Sequence, residues 1–299
     1  MRIFITGATG YIGGAVAERL MAAGHAVVGL ARSQEKADAL ATRGIEPVIG
    51  KLSDLGVIRR AATASDGVVN AASAEDSPVA HALCAALEGT GKALVHTSGT
   101  SVAADRALGE PGGVVHTEDM PLDTLPERLL RVAIDRHVLA AAGRGVRSVV
   151  IRPSLIYGRG RGLNPFSHQV PKLAAVARDR GRPVHVGRGL AVWSNVHIDD
   201  VADLYVRALF DSPAGHVYFA ANGEASWRDV AAHIGRALGL DTDHEALDIG
   251  TALEIFGISA VTSFSSNSRV SSEKAHRMLG WDPKGASLAE QLANDPAWP

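Results

Sequence analysis

A glycine-spaced loop near the amino terminus constrains the fold of this chain more than any other feature. Residues 5–14 read ITGATGYIGG, so that Gly7, Gly10 and Gly13 recur at every third position. The loop follows a short apolar run and precedes a helical pattern. Glycine permits a tight turn and lets a pyrophosphate approach the backbone, and the next helix offers free N–H groups to the phosphates. The loop therefore predicts a strand-turn-helix unit that binds a dinucleotide.

Short apolar runs alternate with helical patterns through the first half of the chain. The runs are almost continuously apolar, which is typical of parallel strands that are covered on both faces. The alternation predicts an α/β fold with a Rossmann-type, doubly wound parallel sheet and a ligand crevice at its carboxyl edge. Strands are predicted at Arg2–Thr6, Ala26–Ala31, Pro47–Gly50, Gly67–Asn70, Ala93–Thr97 and Ser148–Arg152, and helices at Ile12–Ala23, Gln34–Thr42, Val79–Glu88 and Leu125–Ala142.

The pattern changes after about Tyr157. A glycine-rich basic loop, GRGRGLNP at residues 158–165, is followed by helical patterns with only short strands between them. We expect residues 1–156 to form the nucleotide-binding domain, residues 190–222 to return partly to it, and residues 157–299 to form mainly a smaller mixed α/β substrate lobe. Its helices are predicted at Phe166–Arg180, Asp199–Phe210, Ser226–Leu238 and Ser272–Leu279.

Polar residues that precede helical patterns predict how several helices begin. The segments Thr124–Glu127 and Ser226–Asp229 have the spacing of a capping box, in which two side chains satisfy backbone N–H groups. Asp199 and Asp200 open another helical pattern, and carboxylates there cap the helix and suit its dipole. We therefore predict helix starts at these three places.

Composition and charge exclude several classes of protein. The net charge of -2 comes from 30 basic and 32 acidic residues without a long block of like charge, which argues against nucleic acid or an anionic membrane surface as a partner. The single cysteine, Cys84, cannot form a disulfide within the chain, which favours a reducing cytoplasm. His81 and Cys84 share a helix face without a third ligand, so no metal site is predicted. We expect a cytoplasmic protein whose partner is a small-molecule substrate.

Residues at the end of the second predicted strand indicate which dinucleotide binds. An NAD site usually has Asp or Glu about 20 residues after the glycine loop. Here Arg32 and Ser33 occupy that place, and the first carboxylate is Glu35. Arg32 can make a charge-assisted contact with a 2′-phosphate, to which Ser33 adds a hydroxyl. We therefore predict NADP(H), with NAD(H) as the alternative if Arg32 is only a solvated surface residue.

Five segments spread along the chain carry a resemblance to a known family. They are TGATGYIGG at residues 6–14, HTSGTSV at 96–102, VVIRPSLIYGRG at 149–160, WSNVHIDDVADLYVRAL at 193–209 and EKAHRMLGW at 273–281. Together they resemble the extended and atypical branches of the short-chain dehydrogenase/reductase superfamily, which include epimerases and dehydratases. The resemblance covers essentially the whole chain, and it implies a nucleotide domain, a substrate lobe and hydride chemistry.

The glycine loop and the resemblance together imply a set of cofactor contacts and an oligomeric state. The resemblance implies a homodimer in which the helices around Val79–Glu88 and Leu125–Ala142 form a four-helix bundle, with a monomer as the alternative. The expected cofactor-binding residues are Gly7, Thr9, Gly10, Tyr11, Ile12, Gly13, Arg32, Ser33, Leu52, Ala71, Ala72, Arg131 and Pro153.

The chain departs from the family on the helix predicted at Leu125–Ala142. Family members usually carry a YxxxK motif there, whose tyrosine exchanges a proton with the substrate oxygen while the lysine holds the nicotinamide ribose. The family spacing puts Arg131 near the lysine position and Glu127 near the tyrosine position. The four tyrosines of the chain, none of which falls on this helix, are Tyr11, Tyr157, Tyr205 and Tyr218.

Other residues are candidates for binding the substrate oxygen, for supporting the ribose and for donating the proton. Ser98 and Thr100 follow a strand end and are expected to bind a substrate oxygen, although Gly99 occupies the family's hydroxyl position in an ungapped alignment. Their alternative role is to cap the loop. Arg131 is expected to support the ribose, or else to pair with acids at helical spacing. Tyr157 either donates the proton from another direction or wedges between the two lobes.

Two classes of function follow from these residues. The first is an NADP(H)-dependent oxidoreductase or epimerase-like enzyme that moves hydride to or from a small carbonyl or alcohol substrate, with a non-standard proton donor. The second is a non-catalytic sensor or regulatory protein that binds NADP(H). The absent tyrosine favours the sensor, whereas the substrate lobe favours the enzyme, which is our leading interpretation.

Overall fold

The computed structural model of the protein describes residues 1–240 and 243–295. Its strands are β1 (Arg2–Thr6), β2 (Ala26–Ala31), β3 (Glu46–Ile49), β4 (Gly67–Asn70), β5 (Ala93–Thr97), β6 (Val115–His116), β7 (Arg147–Pro153), β8 (Leu155–Tyr157), β9 (Val184–Val186), β10 (Val192–His197), β11 (His216–Ala220), β12 (Glu224–Ser226), β13 (Glu245–Leu247) and β14 (Arg269–Val270). Its helices are α1 (Tyr11–Ala22), α2 (Gln34–Ala41), α3 (Leu55–Thr63), α4 (Ser77–Leu87), α5 (Leu129–Ala140), α6 (Gln169–Arg180), α7 (Ile198–Asp211), α8 (Trp227–Leu238), α9 (Ile249–Phe256), α10 (Ser259–Thr262), α11 (Glu273–Leu279) and α12 (Leu288–Asn294).

Seven of the described strands form one parallel sheet in the order β3-β2-β1-β4-β5-β7-β11. The strand order reverses between β1 and β4, where a doubly wound sheet opens a crevice at its carboxyl edge. The predicted α/β fold is confirmed, and each of the six predicted strands is present within one residue of its predicted bounds. The seventh strand, β11, pairs with β7 and extends the sheet with a segment from the second half of the chain.

Helices cover both faces of this sheet, which explains why its strands are almost continuously apolar. One face packs against α1, α2 and α7 in a buried cluster that includes Leu20, Leu40 and Leu204. The other face packs against α3, α4 and α5 through residues such as Leu83 and Ile134. Helix α3 was not predicted from the sequence. Its buried residues are Ile58 and Ala62, and Leu55, Val57 and Ala61 pack beside them in partly buried positions.

A second hydrophobic cluster forms the smaller lobe. Its aromatic centre consists of Trp193, Trp227, Phe256 and Phe264, which contact one another in tilted and edge-on pairs. Helices α6, α8, α9 and α12 surround it, together with the short sheets β8-β10-β12 and β9-β13. The predicted lobe also includes residues 241, 242 and 296–299, which lie outside the described residues. No helix in the described part of the chain is long and apolar enough to cross a membrane.

The observed helix starts show which of the predicted helix caps form in the folded chain. The Ser226 prediction is confirmed, because its hydroxyl accepts a hydrogen bond from the Asp229 N–H at the start of α8. The predicted capping box at Thr124 is wrong. The Thr124 hydroxyl donates to the Val102 carbonyl, and Glu127 pairs with Arg106, so both side chains are engaged by other segments. A 3-10 turn at residues 126–128 precedes α5 instead.

The start of α7 also differs from the prediction. The cap is His197, whose Nδ1 accepts a hydrogen bond from the Asp199 N–H. Asp200 lies inside the first turn, and its carboxylate accepts hydrogen bonds from the N–H groups of Lys284 and Gly285. Asp200 therefore anchors the carboxyl-terminal segment to α7 rather than capping the helix.

Candidate functional site

The glycine loop between β1 and α1 is packed too closely for a side chain. Gly7 has a φ of +78°, and a β-carbon there would lie 2.7 Å from the carbonyl carbon of Ala71 at the end of β4. A β-carbon at Gly13 would overlap the Gly7 carbonyl oxygen. The Gly10 N–H donates to that same oxygen at 2.8 Å, which closes the turn. The loop thus presents bare backbone at the amino terminus of α1, where a pyrophosphate fits.

A cavity of about 470 Å³ runs along the carboxyl edge of the sheet beside this loop. We call it the glycine-loop cavity. One wall consists of the ends of β1, β4, β5 and β7, and the opposite wall is the segment 164–169 that leads into α6. Its lining residues are Gly10, Tyr11, Ile12, Ala71, Ala72, Ser98, Pro153, Ser154, Ile156, Asn164, Phe166, Ser167, His168 and Gln169. The fold therefore brings together six of the residues predicted to bind the cofactor, namely Gly10, Tyr11, Ile12, Ala71, Ala72 and Pro153.

Seven of the predicted cofactor residues do not line this cavity, namely Gly7, Thr9, Gly13, Arg32, Ser33, Leu52 and Arg131. Arg32 is exposed at the carboxyl end of β2, on the same edge of the sheet as the glycine loop. The Ser33 hydroxyl accepts a hydrogen bond from the Lys36 N–H and caps α2, so it keeps its own hydrogen for another acceptor. Leu52 is half-buried against the α3 face of the sheet. Thr9 is half-buried within the loop itself.

Ser98, at the end of β5, is tied to a buried ion pair. Its hydroxyl donates to Asp135 Oδ2 at 2.9 Å, and Arg152 Nε donates to the same oxygen at 2.9 Å. Asp135 is fully buried, and this burial raises the pKa of its carboxyl group against the opposing effect of Arg152. While it donates to Asp135, Ser98 has lone pairs but no hydrogen to offer to a substrate carbonyl.

A second cavity of about 220 Å³ adjoins the first and is lined by two arginines. We call it the arginine cavity. Arg131 donates from Nη1 to Ser101 Oγ at 2.9 Å and from Nη2 to Glu75 Oε1 at 2.7 Å. Arg128 donates from Nη2 to Thr262 Oγ1 at 2.8 Å. The lining residues are Gly99, Thr100, Ser101, Arg128, Arg131, Pro153, Ser154, His168, Gln169, Trp193, Ser259 and Ser263.

Gly99 leaves the space in which the Arg131 guanidinium lies. A β-carbon at Gly99 would sit 3.1 Å from Arg131 Nη1, tighter than ordinary van der Waals contact. Thr100 begins a 3-10 turn at residues 100–103 and is buried, and its carbonyl accepts a hydrogen bond from Ser268 Oγ. The end of β5 is therefore shaped around an arginine.

The four tyrosine hydroxyls all have partners away from α5. Tyr157 is buried in the smaller lobe, where its hydroxyl donates to the Ala286 carbonyl at 2.8 Å and burial raises its pKa. Tyr205 and Tyr218 hydrogen-bond with Thr97 and Ser212. Tyr11 lines the glycine-loop cavity with its ring, but its hydroxyl donates to the Gly158 carbonyl at 2.7 Å. Tyr157 thus lies in the hydrophobic cluster of the smaller lobe, and whether it donates a proton stays a prediction.

Sequence reasoning missed a buried polar chain beneath the same edge. Thr6 Oγ1 donates to Asn70 Oδ1 at 2.6 Å, and Asn70 Nδ2 lies 2.9 Å from His96 Nδ1. Burial lowers the pKa of His96 to about 4, and the charge of Arg131 acts in the same direction. His96 Nε2 is buried without a hydrogen-bond partner among the described residues. The sequence contains the three residues at three strand ends but does not show that they meet.

Comparison with known proteins fits this geometry. The model of the NAD dependent epimerase/dehydratase family matches residues 3–221, and the chain belongs to that family. An uncharacterized protein of Schizosaccharomyces pombe is 34% identical over 311 residues, covering 99% of each chain. A ketoreductase of Stigmatella aurantiaca, which acts on 4-hydroxy-2-methyl-3-oxo-4-farnesyl-3,4-dihydroquinoline-1-oxide, is 30% identical over 239 residues, covering 75% of this chain and 69% of the relative.

A solved structure shows the same fold. The dTDP-glucose 4,6-dehydratase of Bacillus anthracis, which was solved in complex with NAD, superposes with a TM-score of 0.78 at 20% identity, covering 100% of this chain and 96% of the other. The family membership makes this chain an NAD(P)-dependent enzyme of the oxidoreductase or epimerase type. The bare glycine loop, which excludes β-carbons at Gly7 and Gly13, fits the pyrophosphate of such a cofactor.

Proposed function

We propose that this chain is an NADP(H)-dependent oxidoreductase or epimerase-like enzyme that moves hydride to or from a carbon of a small carbonyl or alcohol substrate. The observation that carries the proposal is the continuity of the two cavities, which share Pro153, Ser154, His168 and Gln169. A nicotinamide at this junction would supply the hydride. The ketoreductase activity of the Stigmatella relative supports carbonyl reduction as the reaction.

The residues at the end of β2 support NADP(H) over NAD(H). Arg32 is exposed where an NAD site would have a carboxylate. The Ser33 hydroxyl accepts from the Lys36 N–H, so its hydrogen can be donated to a phosphate oxygen. A 2′-phosphate here would also lie near the amino terminus of α2, where the helix dipole favours negative charge.

In this proposal, Arg131, Ser98 and Thr100 bind or position the groups around the substrate oxygen. Arg131 donates hydrogen bonds and positive charge near the oxygen or the ribose, but a guanidinium does not release a proton at neutral pH. Ser98 accepts a hydrogen bond from the cofactor or from a substrate hydroxyl, because its own hydrogen is directed to Asp135. The backbone turn at Thr100 holds Ser101 against Arg131.

His168 is our candidate for the proton donor, and it follows by elimination. Among the described residues that line the two cavities, those with ionisable side chains are Tyr11, Arg128, Arg131 and His168. Burial raises the pKa of Tyr11 well above its usual value, and the arginines stay charged. His168 lines both cavities and is exposed, so its imidazole can exchange a proton with water.

The test is titration with NADPH and NADH, followed by turnover of a carbonyl panel monitored at the cofactor absorbance. We expect tight NADPH binding and turnover that falls about 100-fold in His168→Gln, the usual effect of losing a general acid. The same variant should retain NADPH affinity. If Tyr157→Phe rather than His168→Gln abolishes turnover, the buried phenol is the donor. Tight NADPH binding without turnover on any member of the panel would favour the sensor.

We infer that the enzyme is a homodimer paired through α4 and α5. These helices pack side by side on one face of the sheet. The start of α5 leaves Leu129 and Leu130 more than half exposed, at 56% and 54%. Apolar side chains that face solvent on such a helix are typical of a covered interface. Sedimentation equilibrium of the purified protein distinguishes a dimer from a monomer.

A further inference from the structure

Two guanidinium groups in the arginine cavity share a single carboxylate. Arg131 Nη2 lies 2.7 Å from Glu75 Oε1, and Arg128 Nη1 lies 3.6 Å from the same oxygen. Among the described residues, the other hydrogen bonds of the two guanidinium groups are with the neutral hydroxyls of Ser101 and Thr262. The carboxylates of Glu127 and Asp135 also act on these arginines, but each is paired with another arginine, Arg106 or Arg152. The group therefore carries one positive charge more than it carries negative charge.

Burial makes this excess charge costly. The side chains of Arg128 and Arg131 are only 15% and 18% exposed, whereas Glu75 is 44% exposed. The Nε atoms of both arginines are buried and have no hydrogen-bond partner among the described residues. Burial and the charge of Arg131 both lower the pKa of Arg128. A buried cation without a full counter-charge is stabilised by any anion that reaches it.

The lining of the cavity is suited to an anion. Among the described residues that line it, the ionisable side chains are Arg128, Arg131 and His168, and none is a carboxylate. Hydroxyl and amide groups of Ser101, Gln169, Ser259 and Ser263 complete a polar wall. Gln169 Nε2 donates to Ser263 Oγ at 2.7 Å, which joins α6 to the opposite wall. These neutral groups can donate to an anion without adding negative charge of their own.

The position of the cavity assigns it to the substrate. It shares four lining residues with the glycine-loop cavity but none from the glycine loop itself. A pyrophosphate held by that loop at the amino terminus of α1 is therefore elsewhere. The arginine cavity, at about 220 Å³, suits a small charged group rather than a second nucleotide.

We propose that Arg128 and Arg131 bind a carboxylate of the substrate, so that the substrate class is an oxo acid or the corresponding hydroxy acid. The inference rests on the proposed function and specifies the substrate of the same site. A guanidinium can form two parallel hydrogen bonds with a carboxylate, which carries the opposite charge. A neutral ester lacks that charge. Glu75 competes with that carboxylate for the same donors, because it already occupies one edge of Arg131.

The experiment compares carboxylates with their methyl esters on protein loaded with NADP⁺, which cannot donate hydride. The probes are acetoacetate, 2-oxobutyrate and benzoylacetate, each paired with its methyl ester. Binding is followed by equilibrium dialysis and by tryptophan fluorescence, since Trp193 lines the cavity. We expect each acid to bind about tenfold or more tightly than its ester, as a hydrogen bond to a charged group contributes at least that much.

Two substitutions with opposite expected effects on acid affinity test whether these side chains bind the carboxylate. Arg128→Gln should weaken acid binding about tenfold and ester binding by less, whereas Glu75→Gln should strengthen acid binding. Arg106→Gln is the matched control, because Arg106 pairs with Glu127 and does not line the cavity. Equal affinity of acid and ester in all three pairs would overturn the proposal, as would acid affinity in Arg128→Gln that equals the wild-type value.

The carboxylate site and the proposed oxidoreductase function can be rejected independently of each other. Turnover of neutral aldehydes with NADPH but no preference for acids would reject the carboxylate site and keep the oxidoreductase. Acid binding that depends on Arg128 in a protein that does not bind NADPH would reject the oxidoreductase and keep the anion site.

Discussion

The glycine-loop cavity and the arginine cavity adjoin one another, but the first depends on backbone groups and the second on side chains. The first depends on backbone N–H groups in one continuous segment, and its requirement is the absence of side chains at Gly7 and Gly13. The second depends on side chains from separate segments of the chain, among them Arg131 on α5, Ser101 after β5 and Ser263 after α10. Steric exclusion thus restricts the first site to one residue type, whereas several side-chain combinations could form the second.

This difference predicts that the glycine loop tolerates substitution less than the residues of the arginine cavity do. A β-carbon in the loop would strike backbone, which cannot move aside. At the end of β5, a β-carbon at Gly99 would meet Arg131 Nη1 at 3.1 Å, and Nη1 is the end of a flexible side chain that can shift. The four predictions below test this contrast between backbone and side-chain sites, starting with the largest expected effect.

The buried ion pair of Asp135 and Arg152, which holds Ser98, should be the most sensitive of the side-chain contacts. Asp135→Ala leaves Arg152 buried without its carboxylate, so we expect the free energy of unfolding to fall by about 3–5 kcal/mol. Urea denaturation measures this change. Asp199→Ala is the control, because Asp199 is 41% exposed and lies 3.4 Å from the exposed Arg161, and it should cost under about 1 kcal/mol. Similar losses in both variants would contradict the buried-pair account.

The glycine loop can be tested with two glycines of the same backbone conformation. Gly7 and Gly24 have φ values of +78° and +80°, but a β-carbon at Gly24 meets nothing within 4 Å. Gly24→Ala should cost about 1–2 kcal/mol for the left-handed conformation alone. Gly7→Ala should cost about 1–3 kcal/mol more, because it adds a clash with Ala71.

The two glycine variants should also differ in cofactor binding. Gly7→Ala should lose NADPH binding, and Gly24→Ala should retain it, as measured by fluorescence titration. If NADPH binding survives in Gly7→Ala, close backbone approach is not what the loop provides.

Buried His96 should make the protein sensitive to acid. Its pKa is lowered to about 4 in the folded protein, against about 6.5 in the unfolded chain, so the unfolded state binds more protons between these values. The stability is therefore fully present above about pH 6.5 and is lost as the pH falls towards 4. Between pH 7 and pH 5 we expect a loss of about 2 kcal/mol in urea unfolding.

A histidine variant isolates this contribution. His96→Gln should be less stable at pH 7 but should lose less stability between pH 7 and pH 5. His276→Gln, whose imidazole is exposed, is the control and should keep the wild-type dependence. An unchanged pH dependence in His96→Gln would show that other groups cause the acid sensitivity.

The smallest expected effect is at Arg32. Arg32→Ala should weaken NADPH binding about tenfold, or about 1.4 kcal/mol, and leave NADH binding unchanged, because only NADPH carries the 2′-phosphate. Titration of both cofactors against wild type and variant measures it. Preference of the wild type for NADH would reject the NADP assignment.

Much of the fold was predictable because its signals are local. The six predicted strands lie within one residue of their predicted bounds, since a run such as Phe4 with its neighbours is buried on both faces of a parallel sheet. Helix α6 begins three residues later than predicted, at Gln169, because Pro171 is tolerated only in the first turn of a helix. The type of the predicted elements could be recognised from the sequence, whereas the residue at which an element begins depended on contacts with neighbouring segments.

Local patterns in the chain were enough to predict the parallel sheet and the place of the glycine loop. Both follow from apolar periodicity and from the steric demands of single residues, which act over a few positions in the chain. The folded structure was needed to show that Thr124 bonds to Val102, that Asp135 contacts Ser98 and Arg152, and that Glu75 contacts two arginines. Those partners are far apart in sequence, and packing of the helices on the sheet brings them within hydrogen-bonding distance.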